Sequence, residues 1–279
     1  MVSHTRSKRR HPWIRLAVLL AVLAAGILFF YWSNHSLQIE RFTFLDSALP
    51  EGFDGAVVVQ LSDLHCGSFG ENNSGLLAAV AAAEPDYIFL TGDLLDQAKP
   101  IPEGYVETLA GGLAAIAPTY YVTGNHEWAR GSVPELKNTL ADCGVTVLSN
   151  QFVPLERRGD VILLAGIDDP NGYADQKTPE ELAAEIAAAG DSPYWLLLAH
   201  RNTLFADRYS RLGANLTICG HGGSSACPLR TGSSARTGPF SPPIPPGSIR
   251  PTGRGCSCPG VWGTAGGPSA CSTGPRWWC

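Results

Sequence analysis

The chain has 279 residues, 44% of them hydrophobic and 16% charged, with a net charge of −5 at neutral pH. That length holds one large domain or two small ones. The charge is uneven: residues 1–15 carry five Lys or Arg and no acid, residues 224–279 carry five Arg and no acid, and all 25 acids lie between. An acidic middle argues against nucleic acid as a routine partner and suits a protein that gathers carboxylates for a cation. Five of the eight cysteines fall between Cys227 and Cys279. With no zinc-like C-x-x-C pairing in the chain, neither a disulfide framework nor a cysteine-based metal site is expected.

Residues 1–13 form a basic segment. Residues 14–32, IRLAVLLAVLAAGILFFYW, are apolar apart from Arg15 and long enough to cross a bilayer core as a helix. Preceding basic residues favour a cytoplasmic N-terminus, and Trp13, Tyr31 and Trp32 sit where interfacial aromatics belong. A cleaved signal peptide is the rival reading. The following SNHSLQIE has no small-x-small cleavage site, so a retained single-pass anchor is expected, with the next domain on the outer face of the membrane. Residues 33–53 are a linker and a first strand.

From residue 54 short apolar runs alternate with helical stretches. AVVVQLSD (56–63), DYIFLTGD (86–93) and TYYVTGNHE (119–127) read as strands with their following loops. VTVLSN, FVPLER, VILLAGIDD, YWLLLAH (194–200) and ANLTICGH (214–221) read as later strands. NSGLLAAVAAAE (73–84), YVETLAGGLAAIA (105–117), VPELKNTLADCG (133–144) and TPEELAAEIAAAG (178–190) read as helices. The last of these opens on a Thr cap with acids in its first turn. This alternation predicts an α/β fold with its sheet covered on both faces.

The strands end alike, apolar and then Asp, Asn or His: Asp63 and His65, Asp93, Asn125 and His126, Asp168 and Asp169, His200, His221. Ligands collect at the carboxyl ends of strands in such folds. Carboxylate, amide and imidazole donors suit Mn, Fe, Zn or similar divalent ions. A pair of such ions sharing one carboxylate polarises a phosphoryl oxygen and activates a water, and a neighbouring histidine can protonate the leaving alkoxide.

In order, Asp63-Leu64-His65, Gly92-Asp93, Gly124-Asn125-His126-Glu127, His200 and Gly220-His221 resemble the calcineurin-like metallophosphoesterase superfamily over about residues 54–223. The membrane-tethered YkuE- and YaeI-like branch is most similar. The resemblance implies a four-layer αββα sandwich and hydrolysis of a phosphoester at a binuclear metal site. It also implies that Asp63 and His65 bind a first metal, Asp93 bridges both, and Asn125, His200 and His221 bind the second. His126 acts on the leaving group, and Asp168 and Asp169 make a structural turn. A membrane-surface phosphoester, a phospholipid included, is the expected substrate.

The family motif G-H-x-H-G-G is broken, because the chain reads Gly220-His221-Gly222-Gly223 and lacks the second histidine, a ligand of the first metal. Residues 224–279 are rich in Pro, Gly, Ser, Cys and Arg without periodicity. A one-base shift of reading frame admits strings similar to the family's last strands, VFVSRGLGN among them. The segment is therefore read as an aberrant tail, disordered or frame-shifted, that packs poorly and leaves the sandwich incomplete at its C-terminal end. Activity is expected to be impaired by the lost ligand. The alternative is an inactive truncated relic with an incomplete metal site.

Overall fold

The computed structural model describes residues 12–35, 37, 39–190, 192–221, 225–228 and 271–272. In chain order the strands are β1 (Ile39–Glu40), β2 (Val58–Leu61), β3 (Tyr87–Thr91), β4 (Thr119–Val122), β5 (Thr146–Val147) and β6 (Gln151–Arg157). They continue with β7 (Asp160–Gly166), β8 (Trp195–Arg201), β9 (Leu216–Gly220), β10 (Ser225–Pro228) and β11 (Cys271–Ser272). The helices are α1 (Pro12–His35), α2 (Ser74–Ala81), α3 (Tyr105–Ile116), α4 (Asn125–Arg130), α5 (Val133–Asp142) and α6 (Pro179–Ala188).

One sheet has the order β1-β11-β2-β3-β4-β5 and the other β10-β9-β8-β7-β6. Strands β2 to β5 pair in parallel, as do β7 to β9. Parallel strands need both faces covered, and three apolar clusters supply the cover. On the outer face of the first sheet Val59, Leu61, Ile88 and Leu90 pack against Leu76, Leu109, Leu113 and Leu140 of α2, α3 and α5. Between the sheets Val58, Phe89 and Val122 meet Ile162, Leu164, Leu196, Leu198 and Ile218. On the far face Ala165, Trp195, Leu197 and Ala199 meet Leu182 and Ile186 of α6. The period-2 alternation of each strand sends neighbouring residues to different clusters, and the sum is the expected αββα layering.

Sequence and structure differ at several edges. α2 stops at Ala81, short of Glu84, whose φ is +48°; Pro85 follows, and a residue before proline avoids the helical region. Residues 125–127, read as loop, begin α4. Strand β5 shrinks to Thr146–Val147. β6 and β7 form a hairpin whose loop residues, Arg158 and Gly159, have φ of +50° and +89°, as the favoured two-residue hairpin turns require. Thr178 caps α6 as expected, accepting from the Glu181 N–H at 3.2 Å. Apart from β10 and β11, the poor packing expected of residues 224–279 lies outside the described residues, as do Gly222 and Gly223.

α1 is a separate unit from residues 37–279. It has 24 residues, about 36 Å at 1.5 Å per residue, against a hydrocarbon core of roughly 30 Å. Trp13–Phe30 has a mean hydropathy of 2.4, with none of it buried in protein. This is one helix long and apolar enough to cross a membrane.

The inter-sheet layer sets the stability of the larger unit. Leu198 is fully buried there, whereas Val161, on a neighbouring strand, is 52% exposed. Leu198→Ala should destabilise the fold by about 2–5 kcal/mol and Val161→Ala by about 0.5 kcal/mol or less, read from urea unfolding. Equal losses would show that the sheets do not pack through this layer.

Candidate metal centre

The strand-end loops are held in a conformation that side chains avoid. Asp63, His65, Asp93 and His221 all have φ between +47° and +58°. Left-handed backbone at such residues costs of order 1–3 kcal/mol each and persists where surrounding contacts fix it. Backbone hydrogen bonds between the loops do so: Asp63 N–H to Gly92 O (3.1 Å), His65 N–H to Asp93 O (2.9 Å) and Cys66 N–H to Leu94 O (3.0 Å). Two motif glycines are explained by crowding. A Cβ on Gly124 would strike the amide nitrogen and carboxylate of Asp93, and one on Gly220 would strike the Ser62 hydroxyl. Loop backbones meet where a side chain would keep them apart.

The structure brings all seven sequence-identified residues together. Asp93 Oδ2 lies 3.2 Å from His200 Nε2 and 3.9 Å from both His65 Nε2 and His126 Nε2. Asp63 Oδ1 is 4.0 Å from His65 Nε2, and its Oδ2 accepts from the His221 N–H at 3.0 Å. His200 Nε2 is 3.1 Å from Asn125 Oδ1 and 3.2 Å from His221 Nδ1. The rings of His65 and His126 lie 4.4 Å apart. Two groups of ligand atoms, His65–Asp93–His126 and Asp93–His200–His221, each fall within 4.8 Å, and both contain Asp93.

Two histidine tautomers follow from their partners. His200 Nδ1 lies 2.7 Å from the Thr91 carbonyl, which can only accept, so Nδ1 carries the proton and Nε2 faces the cluster. His126 Nδ1 accepts the Gln97 N–H at 3.2 Å, so its neutral ring carries the proton on Nε2, toward Asp93. Burial works against charge on His200, but the hydrogen bond and charge of Asp93 override it and push its pKa up to about 9. Burial lowers His65 and His221, the latter also through the charge of His200. Burial would raise Asp93, yet His200 and the His126 N–H hold it below the usual carboxylate range.

These residues fit divalent metal. Asp93 Oδ2, Asn125 Oδ1 and His221 Nδ1 converge on His200 Nε2, a set of acceptors for one positive charge, be it a proton on Nε2 or a metal ion. The buried Nδ1 of His65 has no hydrogen-bond partner among the described residues, while its Nε2 faces two carboxylates. The oxygen and nitrogen donor set suits Mn, Fe or Zn.

Glu127, which carries no expected role in the motif, is the buttress. Its side chain is fully buried. Oε2 accepts from Asp93 N–H (3.0 Å) and Gly124 N–H (2.8 Å), and Oε1 from Leu95 N–H (2.9 Å). Burial and the nearby charge of Asp93 push its pKa up to about 7. An acid three residues beyond a strand-end glycine is a helix-capping signature, so the signal was present. Ser62, whose hydroxyl donates to Asp63 Oδ2 at 2.6 Å, carried no such signal. Asp168 and Asp169 do more than turn the chain: Asp168 accepts from Thr123 and Lys137, each at 2.7 Å, and Asp169 pairs with Arg201.

The calcineurin-like phosphoesterase family profile matches residues 56–237, and the chain belongs to that family. It is 33% identical over 185 residues to a bovine transmembrane protein with metallophosphoesterase domain, covering 62% of this chain and 41% of that protein. It is 27% identical over 200 residues to the uncharacterized metallophosphoesterase YkuE of Bacillus subtilis, covering 68% and 66%. It is 30% identical over 202 residues to the UDP-2,3-diacylglucosamine pyrophosphatase LpxG of Chlamydia muridarum, covering 70% and 60%. The chain thus spans less than two thirds of each relative's length.

Glu127→Gln tests the buttress. An amide offers one acceptor oxygen and turns an N–H₂ toward backbone donors, so at least one buried N–H loses its partner. Urea unfolding should register a loss of about 1–3 kcal/mol, with weaker uptake of Mn²⁺. A variant as stable as the parent would remove Glu127 from the account.

Proposed function

We propose that this chain, within the calcineurin-like phosphoesterase family, hydrolyses a phosphoester with a metal-activated water at a site for two divalent ions on the outer face of a membrane. The observation that carries the reading is that Asp93 belongs to both groups of converging ligand atoms. Asp63 and His65 would serve one ion and Asn125, His200 and His221 the other, with Asp93 shared. Bound ions would supply Lewis-acid polarisation of the phosphoryl group and a water of lowered pKa.

The chain's own residues supply the rest. Asp93, fixed by Glu127 and the His126 N–H, keeps the two halves of the site at constant separation. His126 stands at the rim with its side chain 24% exposed; once Nδ1 releases the Gln97 N–H and takes a proton, the imidazolium can pass its Nε2 proton to the departing alkoxide and return to neutral imidazole. The apolar α1, the basic residues before it and relatives named as transmembrane proteins support tethering with the site on the outer face. LpxG is named as a pyrophosphatase of a diacylated sugar nucleotide, which favours a phosphate-bearing lipid at a membrane surface as substrate, a phospholipid included.

A second reading, an inactive relic, is favoured by Gly222-Gly223 standing where the family motif continues to a second histidine. Metal content and initial rates separate the two. With added Mn²⁺ the chain should hydrolyse p-nitrophenyl phosphate slowly, and Asp93→Asn should abolish turnover and weaken metal binding. His126→Ala should lower kcat by roughly 10²–10⁴-fold with metal retained. Loss of metal in His126→Ala would make it a ligand instead. A parent chain that binds no metal and turns nothing over is the relic; one that binds two ions and is inert toward phosphoesters refutes the reaction assigned.

A further inference from the structure

Helix α4 serves two places at once. Asn125 and His126 open it inside the candidate metal centre, and Trp128 follows along the same helix, lining a cleft of about 380 Å³. That volume falls within the roughly 300–1,000 Å³ of small-molecule sites. Helical residues three apart share a face, with Cβ atoms roughly 5–6 Å apart, so the Trp128 side chain adjoins that of Asn125. The indole Nε1 donates to Thr123 Oγ1 at 2.9 Å, and Thr123 immediately precedes Gly124-Asn125. The rest of the cleft is built by α5, by the loop into β6 and by the loop after β7.

The walls hold one another in place. Lys137 Nζ donates to Asp168 Oδ2 and to Ser149 Oγ, each at 2.7 Å, and lies 5.6 Å from the centre of the Trp128 ring. Asn150 Oδ1 accepts from the Asp168 N–H at 3.3 Å, and its Nδ2 donates to Gln176 Oε1 at 3.2 Å. A Cβ on Gly172 would strike the Gln176 side chain, so glycine there lets the loop close on that amide. The Tyr173 ring meets Trp128 edge-on, with centroids 5.0 Å apart and planes at 85°, yet Tyr173 is 61% exposed. An aromatic ring fixed at a rim, rather than sunk in a core, presents its face to a ligand. Hydrogen-bonding capacity remains as well. Lys137 keeps one of its three N–H donors, and among the described residues Gln151 Oε1 and the Tyr173 hydroxyl meet no partner.

We propose that this cleft is a subsite for a cyclic polyol, a sugar or inositol ring, carried by the phosphoester substrate. This rests on the phosphoester reading above and names the substrate class within it. A polyol ring has an apolar C–H face that packs on an aromatic ring, and hydroxyls at its edge that need donors and acceptors in several directions. The cleft offers an aromatic corner and around it an ammonium, a carboxylate, a serine hydroxyl and the side-chain amides of Asn150, Gln151 and Gln176. An acyl chain would strip water from these groups without replacing its hydrogen bonds. A flat heteroaromatic base is best held between parallel faces, whereas Trp128 and Tyr173 stand nearly at right angles. With the phosphoryl group at Asn125 and Asp93, the ring attached to it falls along α4 onto Trp128. Trp128 and Tyr173 are binding and specificity residues in this scheme, while proton transfer stays with His126.

The test uses the full chain in a sugar-free detergent, as the parent, Tyr173→Ala and Trp128→Phe, with the melting temperature recorded for each. Saturation-transfer NMR measures binding of myo-inositol and of the methyl glycosides of glucose, galactose, mannose and N-acetylglucosamine. Kinetics with Mn²⁺ compare glucose 1-phosphate in solution and phosphatidylinositol in vesicles, each against p-nitrophenyl phosphate. At least one polyol should bind the parent, and Tyr173→Ala should weaken it roughly 3- to 10-fold. The kcat/KM of the polyol substrate relative to p-nitrophenyl phosphate should fall by a similar factor, through KM. Glucose 1-phosphate as the better substrate marks a free sugar phosphate, and phosphatidylinositol a lipid headgroup. No polyol bound by the folded parent overturns the proposal, and so does unchanged affinity in Tyr173→Ala. A purely structural role would lower all activities together in step with the melting temperature, and that result also overturns it. If Trp128→Phe fails to fold, the exposed Tyr173 decides on the same readouts. Polyol binding that depends on Tyr173 in a protein that hydrolyses no phosphoester would keep the subsite and sink the hydrolytic reading. Hydrolysis of p-nitrophenyl phosphate without polyol binding would do the reverse.

Discussion

Asp93 is held from both ends of its residue. Its N–H donates to the buried Glu127 carboxylate at 3.0 Å, its Oδ1 accepts from the His126 N–H at 2.9 Å, and its Oδ2 is left to face three imidazole nitrogens. Because Glu127 also takes the N–H groups of Leu95 and Gly124, one side chain clamps the loop after β3 to the loop after β4. The other loops then register on this pair. The loop after β2 follows through the hydrogen bonds of Asp63 and His65 to Gly92 and Asp93, and the end of β9 follows through the His221 N–H on Asp63. A carboxylate shared between two groups of ligands is useful only if it does not move, and this arrangement spends a fully buried acid on keeping it still.

The sandwich makes such a clamp possible. Between the sheets the contacts are apolar through most of the strand length, then turn polar at the carboxyl ends. Gln60 Nε2 donates to Thr91 Oγ1 at 2.8 Å and to the Cys219 carbonyl at 2.9 Å, tying the first sheet to the second just beneath the site. His200 continues the inward-facing row of Leu196 and Leu198, and so arrives in the cluster with its Nδ1 on the Thr91 carbonyl. Strand alternation delivers the side chain to the cluster, and the backbone acceptor sets its tautomer. Left-handed backbone at Asp63, His65, Asp93 and His221 is the local strain that this close-packed frame sustains.

Much of this was legible in the sequence, for identifiable reasons. Fully buried strands are continuous apolar runs, so β2, β3, β4, β8 and β9 stood out, and the first polar residue after each run marked the cluster. What was not legible depends on partners distant in the chain. Glu127 answers to Asp93 and Leu95, more than thirty residues earlier, and Arg201 to Asp169, thirty-two residues away. Periodicity carries no trace of either pairing. The short α4 was missed because six residues are too few to display a helical period. α2 was overextended because its alanine run favours helix up to the point where Pro85 forbids it.

The central claim is that Asp93 joins two metal positions into one site. Electron paramagnetic resonance of the protein saturated with Mn²⁺ addresses it most directly, because exchange coupling requires two ions linked through a shared ligand. The account predicts a coupled Mn²⁺ pair in the parent chain, replaced in Asp93→Asn by uncoupled Mn²⁺ or by none bound. A parent spectrum of isolated Mn²⁺ at saturating metal, unaltered by Asp93→Asn, would contradict it.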